Sequence, residues 1–454
     1  MPEPAPLTAP ITWTSDDPHL SGNFAPIGTE IEADDLAVIA GRIPEGLKGA
    51  YLRNGPNPRF QPVSYTYPLE GDGMVHAVRF DNGRARYRNR FVRTASFELE
   101  DRAGHAVYGG LMNPTPADPK ALGSAAPFKQ SAFIGVMRHG DHLLALGEVE
   151  PAWELSPDLD TLGPWTAGTD RPLELGAHNR VHPVTGDLFA LAYDPTSPTV
   201  TIHHIDPAGR LRRSFPVALA APSMIHDFVL TERHLVLLIG PAVFDMAAAA
   251  QGEPFLQWRP ALGTRIGVMD LDGGNVRWIE TDAYFVFHFA NGFERGGEIV
   301  IDYVRHGALH IGYGGGAHVP PRLHRLVLDT AAGRLTDDAL FDGPVEFPRI
   351  DDRRVARASR HVYVPTLTDS LKVDTGTGRI ARHDFGDRIA GEAVFIPGGE
   401  ADDAGWLATF LYDPATGTSD LALLDAARIE DAPVALIRLP QRVPQGLHGA
   451  WLPG

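Results

Sequence analysis

The sequence predicts an all-β fold, a propeller or another large closed β architecture, and three observations point there. Short strand-like runs recur at roughly even spacing, turn formers separate them, and long helical patterns are scarce. No strict repeat of the WD or kelch kind accompanies the runs, so spacing alone does not give a blade number.

In chain order, residues 1–25 are rich in Pro, Thr, Ser and Asp and read as an extended arm laid over a preformed body. Residues 41–58 are dense in turn formers and read as tight turns leading into a sheet. From Gly71-Asp72-Gly73-Met74-Val75-His76 onward the period is close to two, and Asp81-Asn82-Gly83 supplies a hairpin turn before residues 86–92. Further β-rich runs cover 143–146, 188–193, 235–239, 265–269, 298–304 and 323–328. Asp329-Thr330-Ala331-Ala332-Gly333, Asp374-Thr375-Gly376-Thr377-Gly378 and Asp413-Pro414-Ala415-Thr416-Gly417 read as tips between outer strands. The main helical expectation is 241–252, with Val243, Phe244, Met246 and an alanine run. It reads either as a packed surface helix or as an apolar lip that admits a greasy substrate and makes transient membrane contact.

Fifty-seven acids against 40 bases leave a formal charge of -17, and the bases form no run. Nucleic acid is therefore not an expected partner, because phosphate neutralisation needs clustered Lys and Arg. The chain has no cysteine, which excludes disulfides, thiolate catalysis, iron–sulfur clusters and Cys-ligated zinc. Any metal must be held by His and carboxylates. The opening Met1-Pro2-Glu3-Pro4-Ala5-Pro6 carries an acid and prolines where a signal peptide would show a basic end and an apolar core, so a cytoplasmic location is the simplest expectation. No run approaches the roughly 18 apolar residues that span a bilayer.

Four histidines stand at comparable places. His226 lies in Met224-Ile225-His226-Asp227-Phe228, and His178 opens Ala177-His178-Asn179-Arg180 before a hairpin. His288 ends the apolar run Tyr284-Phe285-Val286-Phe287-His288, and His448 sits in Leu447-His448-Gly449-Ala450-Trp451. Singly, each reads as a hydrogen-bonded core histidine. Together they suggest a metal site, because the inner strands of a propeller converge on its channel. Neutral imidazoles leave a divalent ion's charge uncompensated, so carboxylates behind them have a role: accepting the second ring N–H, fixing the tautomer and spreading negative charge. Glu148, Glu346 and Glu392 each lie beside a strand-like run and are candidates for it; surface salt bridging is the alternative for any one of them.

Over almost its whole length the sequence resembles the carotenoid cleavage oxygenases, non-haem iron enzymes that split conjugated carbon–carbon double bonds with dioxygen. The resemblance is carried, in the family's order, by Tyr51-Leu52-Arg53-Asn54-Gly55-Pro56-Asn57-Pro58, Gly71-Asp72-Gly73-Met74-Val75-His76, Met224-Ile225-His226-Asp227-Phe228, Glu346-Phe347-Pro348-Arg349 and His448-Gly449-Ala450-Trp451. It implies one domain over residues 1–454, a seven-bladed β-propeller with a loop and helix dome over its metal-bearing face. It further implies Fe(II) on the axis, bound by His178, His226, His288 and His448. Glu148, Glu346 and Glu392 would be the outer partners of His226, His288 and His448, leaving His178 without a glutamate. His182 stands where the family has an acid in a turn and is expected to be exposed. His139-Gly140-Asp141 and His204-Ile205-Asp206 mimic an iron-binding H-x-D motif, but both abut turns.

The reaction implied by the resemblance takes O₂ and a small apolar or phenolic olefin to two carbonyl products. Ser21-Gly22-Asn23-Phe24-Ala25-Pro26 and Arg86-Tyr87-Arg88-Asn89-Arg90-Phe91-Val92-Arg93-Thr94 look most like the bacterial branch that includes lignostilbene and resveratrol-type dioxygenases and isoeugenol monooxygenases. A stilbenoid or phenylpropenoid is therefore expected, with an apocarotenoid as the alternative. In stilbene cleavers a lysine and a tyrosine engage the phenol; Lys129 falls where that lysine is expected, whereas Phe97 stands near the tyrosine's place. Phe133-Ile134-Gly135 replaces the family's Asn-Thr-Asn, which implies a more apolar cavity. The competing reading from another class is a non-catalytic binding scaffold with structural histidines.

Overall fold

Local chemistry accounts for the strands and their turns. The hairpin of Gly73–Asp81 and Arg84–Phe91 is closed by Asn82 and Gly83, both at positive φ, the combination a two-residue hairpin turn demands. At the three outer tips the carboxylates of Asp329, Asp374 and Asp413 each accept backbone N–H groups two or three residues on, which sets the turn.

The computed structural model describes residues 5–66, 70–110, 119–122, 126–311 and 319–454. Its antiparallel sheets are the blades of a seven-bladed β-propeller, the innermost strands lying around a central axis. Apolar layers fill the space between neighbouring blades. Tyr51, Val78 and Tyr87 of the first blade pack with Val394, Phe410 and Leu421 of the last. Val229, Val236 and Ile266 pack in the same way with Phe289, Ile301 and Leu326. A strand such as His234–Ile239 is consequently buried on both faces after its first residue, which mutes the alternation a half-buried strand would show.

Two closures hold the ring. The C-terminal strand Gly449–Pro453 pairs with Gly49–Pro56, and the N-terminal strand Val38–Gly41 pairs with Ala435–Arg438 of the last blade. The segment ahead of these strands is stitched to the C-terminal region by Arg442, which donates to the Asn23 and Ala25 carbonyls, and by the Gln445 N–H, which donates to Asn23. No helix among the described residues is long and apolar enough to cross a membrane.

Two expectations change. Residues 49–56 are a buried strand paired on both sides rather than a run of turns. Their small residues serve close approach: a Cβ on Gly55 would lie 2.5 Å from the Gly446 Cα. The stretch 241–252 is mostly a hairpin, Ala242–Phe244 against Leu256–Trp258, and only Met246–Ala249 is helical, capped by Asp245. Burial of Ala242, Val243 and Phe244, with Phe244 stacked between Tyr193 and Phe255, makes that segment a strand and confines the helix to the alanine run.

Asn54 explains its motif. Its side-chain amide donates to the carbonyls of Ala132 and Gly135, while its backbone N–H and C=O bond the His448 carbonyl and the Leu447 N–H. Asn54→Ala leaves two buried carbonyls without a donor and should cost about 1–3 kcal/mol, read as a lower denaturation midpoint at unchanged m-value.

Candidate metal centre

One positional rule places the site. His178 precedes the innermost strand Asn179–Val181, His226 precedes Val229–Leu230, His288 precedes Phe289–Arg295 and His448 precedes Gly449–Pro453. Glu392 stands at the same level ahead of Val394–Pro397, and Glu346 ahead of Arg349, which bridges Tyr363 in its blade. Glu148 comes from the other direction, just past His142–Leu146. Residues hundreds of positions apart thus reach the axis together.

One ring nitrogen from each of the four histidines falls in a group whose members all lie within 4.8 Å of one another. The Nε2 atoms of His288 and His448 are 3.0 Å apart, and those of His178 and His226 are 3.1 Å apart. Behind them, His226 Nδ1 donates to Glu148 at 2.7 Å, His448 Nδ1 to Glu392 at 2.9 Å, and His288 Nδ1 to Glu346. An ionised carboxylate only accepts, so these bonds put the protons on Nδ1 and turn the Nε2 lone pairs inward. Lone pairs 3.0 Å apart repel unless a positive charge, a proton or a metal ion, lies between them. Adjacent ligands around an ion with metal–nitrogen bonds of about 2.1 Å are about 3 Å apart, so the donor set fits a metal.

Burial, the other imidazoles and Arg180 keep the His178 ring neutral by depressing its pKa. Burial likewise brings His448 to about 4, against the upward pull of Glu392. Burial would raise the carboxyl of Glu392, but Arg349, His448 and the Gly449 N–H hold it at about 2. Burial would raise Glu346 too, and there the His288 and His306 imidazoles more than offset it. Each of the three glutamates thus faces one imidazole, Glu148 at His226, Glu346 at His288 and Glu392 at His448.

Several partners escaped the sequence reading. His306 Nε2 shares Glu346 with His288, at 2.6 Å. The Tyr193 hydroxyl lies beside Glu148, and burial with that carboxylate holds the phenol protonated. Arg349 Nη1 reaches both Glu392 and the Gly449 carbonyl. Phe347 adopts φ +55 directly after Glu346, a conformation that costs about 1–3 kcal/mol in a non-glycine residue, and its ring stacks on His288. Phe133, Ile134, Ala177 and Leu447 cluster with Phe347, giving the ring an apolar neighbourhood.

Other expectations resolve differently. The ammonium of Lys129 lies 2.8 Å from Asp72 and 2.6 Å from Glu100, between two buried carboxylates. Phe97 is buried against Phe91 and Met74. His182 is buried, not exposed: Nε2 bonds the Glu232 carbonyl and Nδ1 accepts from Val184 and Thr185, so it organises its own turn. His139 bonds the Asp206 carbonyl, and His204 pairs with Asp187, away from the four-histidine group.

Glu392 links the site to acid stability. Its folded pKa, about 2, lies below its ordinary value of 4.5, so it stabilises the fold fully above 4.5 and progressively loses that effect as pH falls toward 2. Glu392→Gln should lower stability at neutral pH and flatten the pH 4.5 to 2 limb of a denaturation series; an unchanged limb would contradict the assignment.

Comparison with known proteins agrees with the geometry. Residues 24–453 match the family described as retinal pigment epithelial membrane protein. The carotenoid cleavage oxygenase of Mycobacterium tuberculosis is 32% identical over 97% of this chain and 98% of its own. The crystal structure of Pseudomonas brassicacearum lignostilbene dioxygenase superposes with TM-score 0.89 at 28% identity, covering 98% of this chain and 100% of that one. Cobalt-substituted Synechocystis apocarotenoid oxygenase superposes with TM-score 0.85 at 29% identity, covering 94% and 96%. With that match spanning nearly the whole propeller, the chain belongs to the RPE65/carotenoid cleavage oxygenase family.

Proposed function

We propose that this chain is an Fe(II)-dependent oxygenase that cleaves a conjugated carbon–carbon double bond with O₂, giving two carbonyl products. The observation that carries the reading is the inward-facing four-imidazole group with carboxylates behind three of its members. His178, His226, His288 and His448 would hold the ion. Ferrous iron held by four neutral nitrogens would supply O₂ activation, its remaining coordination positions being left to small molecules. The rest is the work of the chain: Glu148, Glu346 and Glu392 fix the imidazole tautomers, and Arg349 neutralises part of the negative charge. Phe133, Ile134, Leu447 and Phe347 exclude water and grip an apolar olefin near the ring.

For the substrate, similarity to the lignostilbene dioxygenase supports an aryl olefin of the stilbenoid or isoeugenol-like type. The second reading, an apocarotenoid, is favoured by Lys129, whose charge is already matched by Asp72 and Glu100 rather than left free for a phenol. Oxygen uptake and product analysis with isoeugenol, resveratrol and an apocarotenal separate the two. The working location is cytoplasmic, and in this reading the exposed Met246, in the short helix between the strands Ala242–Phe244 and Leu256–Trp258, gives the transient membrane contact.

His226→Ala or His288→Ala should abolish both iron content and turnover; full loading and activity in either would refute the site. Lys129→Met strands two buried carboxylates and should cost about 3–5 kcal/mol of stability. It should also lower turnover of 4-hydroxystilbene and of unsubstituted stilbene by the same factor, whereas a loss confined to the phenolic substrate would restore Lys129 as a phenol contact.

A further inference from the structure

We propose that Asp227 and Arg180 form a charge pair that positions three of the four imidazoles and keeps the metal affinity of the site high. The inference rests on the metal reading above and adds two residues to it. Asp227 directly follows His226 and is buried. Its Oδ1 accepts from the Phe228 N–H at 2.7 Å, and its Oδ2 from the Phe289 N–H, the residue after His288, at 3.0 Å. Arg180 Nη2, two residues after His178, donates to both oxygens at 2.8 and 2.7 Å. One carboxylate therefore ties together the three strand starts that carry His178, His226 and His288.

Charge gives the pair a second role. Arg180 and Asp227 border a cavity of about 520 Å³ that also reaches His178, His288 and His448. A guanidinium so placed opposes a divalent ion unless a carboxylate neutralises it, and in a partly buried setting that repulsion is poorly screened. Asp227 does so, at the same point where it aligns the strands.

The test uses the full-length protein, stripped of metal with a chelator and titrated with Co(II), following the cobalt visible absorption alongside the melting temperature of the metal-free form. Asp227→Asn should weaken Co(II) binding by about ten- to a hundredfold, the range for partners behind metal ligands, and should alter the cobalt spectrum. Arg180→Gln in that background removes the unpaired cation and should recover about tenfold of the loss. Arg180→Gln alone keeps the acceptors for Phe228 and Phe289 but releases the strand start that carries His178; it should weaken Co(II) binding by less than Asp227→Asn does, and it remains informative if Asp227→Asn does not fold. Unchanged affinity in Asp227→Asn, no recovery in the double variant, or a loss in Arg180→Gln as large as in Asp227→Asn would overturn the pair's role. Failure of the parent chain to bind Co(II) would instead overturn the metal reading itself.

Discussion

Two ring nitrogens, one on His288 and one on His448, are held 3.0 Å apart with their lone pairs turned toward each other. Such an approach is unfavourable in the absence of positive charge, and the fold enforces it from behind through Glu346 and Glu392. Each glutamate is fixed in turn, Glu346 by His306 and Glu392 by Arg349 and the Gly449 N–H. The blades supply rigidity, and the carboxylates turn that rigidity into a cavity shaped for a cation.

The ring closures serve the same end. Gly49–Pro56 pairs with the strand that His448 introduces, and Asn54 brackets His448 through backbone bonds on either side of it. A histidine six residues from the C-terminal Gly454 is thereby held as firmly as those in mid-chain. Asn23, ahead of the propeller strands, adds bonds to Arg442 and Gln445 in the same C-terminal region.

The all-β class, the four histidines and the three glutamates were legible because each sits beside a strand-like run and carries chemistry of its own. The partners that steady them were not. Arg180 and Asp227 are 47 residues apart, and their meeting depends on how adjacent blades rotate about the axis, which no local pattern records. Arg349 stood in view within Glu346-Phe347-Pro348-Arg349, but its reach to Glu392 crosses blades. Residues 49–56 misled because glycine and asparagine mark close backbone approach as readily as turns. His182 misled for a related reason: a turn position implies exposure only where nothing packs over the turn.

The central claim is that the imidazole group holds iron. The most direct measurement is anomalous scattering at the iron edge from crystals of the protein purified without added metal. The account predicts one iron peak per chain, bonded to Nε2 of His178, His226, His288 and His448. An iron peak elsewhere, or a filled cavity in which those nitrogens share only a proton, would contradict it.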